Sequence, residues 1–206
     1  MANRSRSVPN ASVTVAKAAA VAVCFMAVVY GFQVIFGLFT QADNDFSIVS
    51  YLVVVPLCFA AYKKMRHESA YDGLPCWPAS LGVALALSVL SAAISAFSEN
   101  VHVAEPTLLS VLCIGLAAPV AEEFIFRGII CSMLSADLSK TAALIVSTAL
   151  FAAAHFDSEN AIALPLAVLA GLLFGVLFQR SGSILDAIVA HSGANLLAFL
   201  WLCAFR

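Results

Sequence analysis

Two neighbouring glutamates stand in the middle of an apolar stretch of the chain, APVAEEFIFRGII. Glu123 and Arg127 are four residues apart, so on a helix they share a face and can form an ion pair. Glu122 is rotated by about 100° from Glu123, because a helix has about 3.6 residues per turn. The spacing therefore predicts one carboxylate held by Arg127 and a second one that is free to act on another neighbour.

The two carboxylates invite different interpretations. The Glu123–Arg127 pair could serve packing by locking helices together, or it could support a catalytic site. Glu122 has no packing use in an apolar helix, where an ionised side chain costs at least about 2.5 to 3.5 kcal/mol. A buried carboxylate without a partner is instead a candidate general base.

Two histidines and an asparagine lie in later apolar stretches. His155 ends the segment FAAAHF one turn after Phe151, and His191 and Asn195 in HSGAN are also one turn apart on one helix face. Alone, His155 would suit a membrane interface, and His191 with Asn195 could form an interhelical hydrogen-bond pair. Because three separate helices each offer such groups, we expect them to converge on one site.

These residues are conspicuous because the rest of the chain is apolar. Of its 206 residues, 63% are hydrophobic and 11% are charged, whereas soluble domains carry about 25% charged residues. The net charge of −2 and the lack of a basic, aromatic-rich patch argue against nucleic-acid binding. The six cysteines include no CxxC pair, so we expect them to pack and not to form a redox or zinc site.

The apolar runs predict an all-α, polytopic transmembrane bundle of about seven spans, within a range of six to eight. Most runs are near the roughly 20 residues that cross hydrocarbon. The first is longer than a signal-peptide core of about 7 to 15 residues, so we expect a retained span. Residues 1–103 would hold spans one to three, and residues 104–200 the remaining four. The runs are 18–40, 48–62, 79–97, 107–135, 141–156, 161–178 and 184–205.

The distribution of Lys and Arg predicts a cytoplasmic N-terminus, because cytoplasmic loops retain these residues. With that orientation only Arg206 lies outside. Counting helix rise from the cytoplasmic ends puts Glu122 and His155 deeper than His191, so a tilted or broken helix is needed for them to meet. The residues that would lie inside are Arg4, Arg6, Lys17, Lys63, Lys64, Arg66, Lys140 and Arg180.

The three motifs, in this order, resemble those of the CAAX-protease and bacteriocin-processing family, also called the Abi family, which includes the type II CAAX prenyl endopeptidases. They are EExxxR (Glu122, Glu123, Arg127), FxxxH (Phe151, His155) and HxxxN (His191, Asn195). The resemblance extends over roughly residues 104–200 and includes FRG at 126–128. The first hundred residues carry no such resemblance.

The resemblance implies a catalytic membrane domain over residues 104–200 and a glutamate-type intramembrane endopeptidase. Glu122 and His155 would position and deprotonate a water, His191 and Asn195 would form an oxyanion hole, and Glu123 with Arg127 would support the site. No cofactor is expected. Substrates would be membrane-associated or lipidated peptides in contact with membrane lipid, and the protein would lie in a bacterial cytoplasmic membrane. Substrate identity, prenyl recognition and oligomeric state stay open.

Other interpretations of the same residues stay open. Glu122, His155 and His191 could be zinc ligands, although no HExxH motif is present. A proton- or cation-coupled transporter could also use buried Glu and His, but the chain shows no inverted repeat. A bacteriocin self-immunity or binding protein would use the same fold. Serine chemistry is disfavoured because Ser192 and His191 are neighbours on a helix and point about 100° apart.

Overall fold

The computed structural model of the protein describes residues 10–40, 45–65, 73–97, 107–156 and 163–204. Within these ranges the chain forms seven helices and no strand, which confirms the predicted all-α class. We number the helices α1 to α7 in chain order. Their bounds are Ala11–Thr40 (α1), Asp45–Met65 (α2), Trp77–Phe97 (α3), Leu108–Asp137 (α4), Lys140–Ala154 (α5), Ala163–Ser181 (α6) and Ile184–Ala204 (α7).

Two sequence predictions concern residues outside the described ranges. One is the boundary between residues 103 and 104. The other is the orientation, which depends partly on charges that are not described, so the cytoplasmic N-terminus stays a prediction. These charges are Arg4, Arg6, Arg66 and Arg206.

Five of the helices in the described ranges are long and apolar enough to cross a membrane, namely α1, α3, α4, α6 and α7. The chain is therefore an integral membrane protein. Helix α5 has 15 residues, or about 22 Å at about 1.5 Å per residue, which is less than the roughly 30 Å of hydrocarbon. Helix α2 contains Pro56 and is not among the five. The predicted count of about seven spans is not confirmed.

Large apolar side chains are exposed on the outer surface of the bundle, whereas the charged pair in the middle of α4 is buried. Val23, Leu52 and Leu81 on three different helices are 67%, 66% and 58% exposed, as suits contact with lipid. Glu123 and Arg127 are 0% and 1% exposed. This distribution is the reverse of that in a soluble protein, and it follows because hydrocarbon solvates alkyl groups and not charges.

Helix α4 is irregular on both sides of its two glutamates. Wider π-helical turns occupy Cys113–Ala117 and Phe124–Cys131, and a short regular stretch, Ala118–Glu123, lies between them. Pro119 sits in this stretch and has no amide hydrogen to donate to the preceding turn. Such π-helical turns shift the facing of the residues that follow them. The tilted or broken helix expected from the sequence concerns depth in the membrane, which these turns do not test, so it stays a prediction.

Helices α3 and α7 are fastened together at one end by a buried carboxylate. Asp186, which is 0% exposed, accepts hydrogen bonds from the Cys76 amide at 2.8 Å and from the Ser80 hydroxyl at 2.5 Å. Further along, a Cβ at Gly193 would lie 2.8 Å from the Cβ of Ala84, so only glycine allows this close approach. These contacts fix the position of α7, the helix that carries His191 and Asn195.

Candidate active site

The Glu123–Arg127 ion pair predicted from the sequence is present in the interior. Arg127 Nε lies 3.1 Å from Glu123 Oε2, and Arg127 Nη1 donates to Glu123 Oε1 at 3.1 Å. Arg127 Nη2 donates to the Gly171 carbonyl on α6 at 3.1 Å, and the guanidinium lies 4.4 Å from the centre of the Phe151 ring. A buried ion pair offsets its desolvation cost only when further polar contacts satisfy it. Here the pair connects α4, α5 and α6.

Glu123 also orients the histidine of α7. Its Oε1 lies 2.9 Å from His191 Nδ1, and the His191 ring stacks on Phe174 with 4.7 Å between ring centres. Because Glu123 is paired with Arg127, it is an ionised acceptor, so the hydrogen of this bond belongs to His191 Nδ1. In a neutral His191 ring the other nitrogen, Nε2, is then an acceptor.

His155 is oriented by the backbone of its own helix. It lies directly after α5, and its Nδ1 is 2.8 Å from the Phe151 carbonyl oxygen. A carbonyl only accepts, so Nδ1 carries the hydrogen, and Nε2 of a neutral ring is again an acceptor. The imidazole also packs on the Phe151 ring, with 4.3 Å between ring centres. The FxxxH spacing thus holds His155 through both the carbonyl and the ring of Phe151.

Both free imidazole nitrogens approach the same carboxylate oxygen. Glu122 Oε2 lies 3.4 Å from His155 Nε2 and 4.0 Å from His191 Nε2. These separations exceed the usual range of about 2.7 to 3.2 Å, and the buried Oε2 atom has no hydrogen-bond partner among the described residues. With both rings neutral and Glu122 ionised, three acceptors face each other. A water molecule can donate its two hydrogens to two of these three acceptors.

The cluster opens onto a cavity of about 450 Å³ that is lined by residues of α2 to α7. Glu122, His155, His191 and Asn195 all line it, so the structure brings the four predicted catalytic side chains to one space. The remaining wall is mainly small and apolar. It includes Ala118, Ala163, Ala167, Ala170, Ala194 and Ala198.

Asn195 bonds to the irregular part of α4. Its Nδ2 donates to the Ile114 carbonyl at 2.9 Å. In the π-helical turn Ala118 donates to Cys113, so Ile114 would be bonded by residue 119, but Pro119 has no hydrogen to give. The asparagine replaces this missing donor. One of its two amide hydrogens is thereby used, and the other is available to the cavity.

Some contributions to the site were not predicted from the sequence. Tyr51 of α2 lines the cavity beside Glu122 and His155, and Asp186 fixes the start of α7. No sequence pattern marks Tyr51 as a site residue. Asp186 could have been noticed, because it is an acidic residue in an apolar helix, five positions before His191.

Among the described residues, no group of three or more His, Cys, Asp or Glu side chains is arranged to hold a metal ion.

Comparison with known proteins finds similarity in the segment of the chain that carries the three motifs. Residues 104–197 match the family model described as type II CAAX prenyl endopeptidase Rce1-like. An uncharacterized 24.3 kDa protein of Escherichia coli is 33% identical over 96 residues, which is 46% of this chain and 44% of that protein. The match thus spans less than half the length of this curated relative. No solved structure matches the chain.

The family match covers all three motifs, from the Glu122–Glu123 pair to Asn195. The resemblance predicted from the sequence is therefore confirmed, and residues 104–197 match the protease family of Rce1-like type II CAAX prenyl endopeptidases.

Proposed function

We propose that the protein is a glutamate-type intramembrane endopeptidase that hydrolyses membrane-associated or lipidated peptides. One observation carries the proposal: two imidazole Nε2 atoms lie 3.4 and 4.0 Å from the same oxygen of Glu122. The match to a protease family supports the reaction class. The position of the cluster in the interior of a membrane bundle supports a substrate that is reached within or beside the bilayer.

The first step of the proposed reaction is attack by water on a peptide carbonyl. Glu122 and His155 hold the water and take one of its protons, while its oxygen forms a bond to the carbonyl carbon. The carbonyl oxygen becomes an oxyanion. General-base assistance of this kind contributes about 10² to 10⁴ in rate. Glu122 is suited to this role because Glu123, and not Glu122, is paired with Arg127.

Asn195 and His191 are proposed to stabilise the oxyanion. Asn195 can use the amide hydrogen that is not bonded to Ile114. His191 donates its Nδ1 hydrogen to Glu123, so donation from Nε2 requires the imidazolium form with hydrogens on both nitrogens. Glu123 lies where it would stabilise such a cation.

The second step breaks the carbon–nitrogen bond. The proton held by Glu122 and His155 passes to the leaving nitrogen, the oxyanion re-forms a C=O bond, and the products are a carboxylic acid and an amine, which exchange a proton to give a carboxylate and an ammonium. One water is consumed and the pair returns to its starting state.

The proposal requires no cofactor. It places the protein in a bacterial cytoplasmic membrane with a cytoplasmic N-terminus, in keeping with the distribution of Lys and Arg.

The decisive experiment compares the membrane and secreted proteomes of cells that carry wild-type protein or Glu122→Gln. We expect at least one precursor to accumulate in the variant. The matched control is Asp137→Asn, the same change from carboxylate to amide at an acid that bonds Thr14 away from the cluster. Equal folding of both variants is checked by thermal unfolding in detergent.

The same experiment separates the rival functions. A bacteriocin-binding immunity protein would keep its protective phenotype in Glu122→Gln, and a transporter would lose ion flux with no precursor accumulating. If wild-type and Glu122→Gln cells have identical proteomes under several growth conditions, the protease proposal is wrong.

A further inference from the structure

A second, smaller cavity lies against the catalytic cluster. It has a volume of about 150 Å³ and, like the larger cavity, it is lined by Glu122, His155 and Tyr51. Its other walls differ completely from those of the larger cavity, because they come from α1 and from the adjoining parts of α4 and α5. These residues are Phe25, Met26, Val29, Tyr30, Phe126 and Ala154. Glu122, His155 and Tyr51 therefore line both cavities and lie where the two adjoin.

The smaller cavity has the size and the polar groups that internal water requires. Its volume exceeds the roughly 30 Å³ that one water molecule takes in the liquid, so several molecules fit. A buried water needs two to four polar partners. Here a carboxylate, an imidazole and the phenols of Tyr30 and Tyr51 are available. An apolar cavity without such groups would stay dry.

We propose that this smaller cavity is a water compartment that supplies the Glu122–His155 pair from the side away from the substrate, with Tyr51 as a positioning residue at the border. The inference rests on the proposed hydrolytic function. A substrate that lies in the larger cavity, against His191 and Asn195, displaces water from that space. The water that is consumed must then reach Glu122 by another route, and the smaller cavity is in contact with the same two side chains.

Most walls of the proposed water compartment come from helices outside the segment that matches the family. Val29 and Tyr51 lie on α1 and α2, whereas the match begins at residue 104. Tyr30, which is 56% exposed, also lines the smaller cavity. The first two helices would thus contribute walls of a water compartment to a reaction whose catalytic groups come from α4, the end of α5 and α7.

Two adjacent valines of α1 provide a matched pair of variants. Val29 lines the smaller cavity and is 4% exposed, whereas Val28 is 42% exposed and lines neither cavity. Val29→Phe enlarges a side chain in the wall of the compartment and so reduces its volume, and Val28→Phe adds the same volume on the outer face. Water is detected by hydroxyl-radical labelling of the protein in lipid nanodiscs, read as oxidation of Met26 in the cavity wall and of Met133, which is partly buried and packs against the apolar core.

We expect Met26 to be oxidised faster than Met133 in the wild type. Val29→Phe should lower Met26 oxidation about fivefold and slow hydrolysis of the precursor that accumulates in Glu122→Gln cells about tenfold, with KM unchanged, because it excludes water and not substrate. Val28→Phe should change neither. If Met26 is oxidised no faster than Met133, or if Val29→Phe dries the cavity without slowing hydrolysis, the inference is wrong.

Tyr51→Phe carries the test if Val29→Phe does not fold, because it removes one hydroxyl and adds no volume. It should lower both Met26 oxidation and the rate of hydrolysis, and a variant that matches the wild type in both overturns the inference. Failure of the protease proposal is recognised separately, since it appears as identical proteomes of wild-type and Glu122→Gln cells whatever the labelling of Met26.

Discussion

Buried polar side chains differ in kind between α1–α3 and α4–α7. In the described part of α1–α3 they are hydroxyl groups, namely Thr14, Ser80 and Ser88. In α4–α7 they include groups that carry or can carry charge, namely Glu123, Arg127, Asp186 and His191. A hydroxyl can be satisfied by its own helix, as Ser88 is by the Leu85 carbonyl at 2.9 Å. A buried charge needs partners from several helices at once.

This difference explains where the chain resembles other proteins. The charged network of α4–α7 allows few substitutions, because each member is held by at least one other helix, as Arg127 is by the Gly171 carbonyl. In α1 and α2 packing relies on alkyl and aromatic surfaces that many sequences can supply. The family match over residues 104–197 coincides with the charged network and leaves α1–α3 out. Helix α3 is nevertheless joined to that network through Asp186.

The largest effect on stability is expected when the Arg127 guanidinium, which contacts several helices of the charged network, is removed. Arg127→Gln should destabilise the protein by about 3 to 5 kcal/mol, because it leaves the Glu123 carboxylate buried without its counter-charge. Arg180→Gln is the matched control, since Arg180 is exposed in the last turn of α6. Thermal unfolding in one detergent measures both. Equal stability of the two variants would show that the network does not hold the second half together.

The next largest effect is expected at Asn195, where a substitution should change the rate of catalysis more than the stability. Asn195→Leu keeps the side-chain volume roughly constant and removes both amide hydrogens, so kcat should fall about 10²- to 10³-fold with KM little changed. Ser192→Ala is the control on the same helix, because its buried hydroxyl has no partner among the described residues. If Asn195→Leu lowers only the unfolding temperature, the residue is an anchor for Ile114 and not an oxyanion donor.

The spacing of residues along a single helix predicted those contacts of the site that form within that helix. The i, i+4 pairing of Glu123 with Arg127 and the different facing of Glu122 follow from helix geometry, and both are present. The convergence of His155 and His191 on Glu122 was predicted because three separate helices each offer such groups, and both rings lie within 4.0 Å of one Glu122 oxygen.

The parts that were not predicted depend on the register between helices. The donation from Arg127 to the Gly171 carbonyl requires α6 to lie at one height beside α4, and no pattern in either helix specifies that height. The bond from Asn195 to Ile114 depends on a π-helical turn, which sequence periodicity cannot indicate. The count of spans could not be settled because α5 is too short for an ordinary crossing.

A smaller effect on stability is expected at Asp186, which joins α3 to the charged network of α4–α7. Asp186→Asn replaces an acceptor-only carboxylate that faces the Cys76 amide and the Ser80 hydroxyl, so it should cost about 1.5 to 3 kcal/mol. It should also lower kcat, since α7 carries His191 and Asn195. Asp137→Asn is the control for kcat, at an exposed acid that accepts a hydrogen bond from Thr14 but lies away from the cluster. Similar losses from both would mean that the link between α3 and α7 does not position the site.

The smallest effect is predicted within α2, where two adjacent valines differ in their environment. Val54 is 1% exposed and Val53 is 41% exposed. In a bilayer both side chains remain in apolar surroundings when helices separate, so Val54→Ala should lose only packing contacts, about 1 kcal/mol, and Val53→Ala almost nothing. Unfolding of the two variants in lipid bicelles measures the difference. A loss at Val54 as large as that at Arg127 would contradict the contrast, because it would mean that alkyl packing in α1 and α2 constrains the bundle as strongly as the charged network.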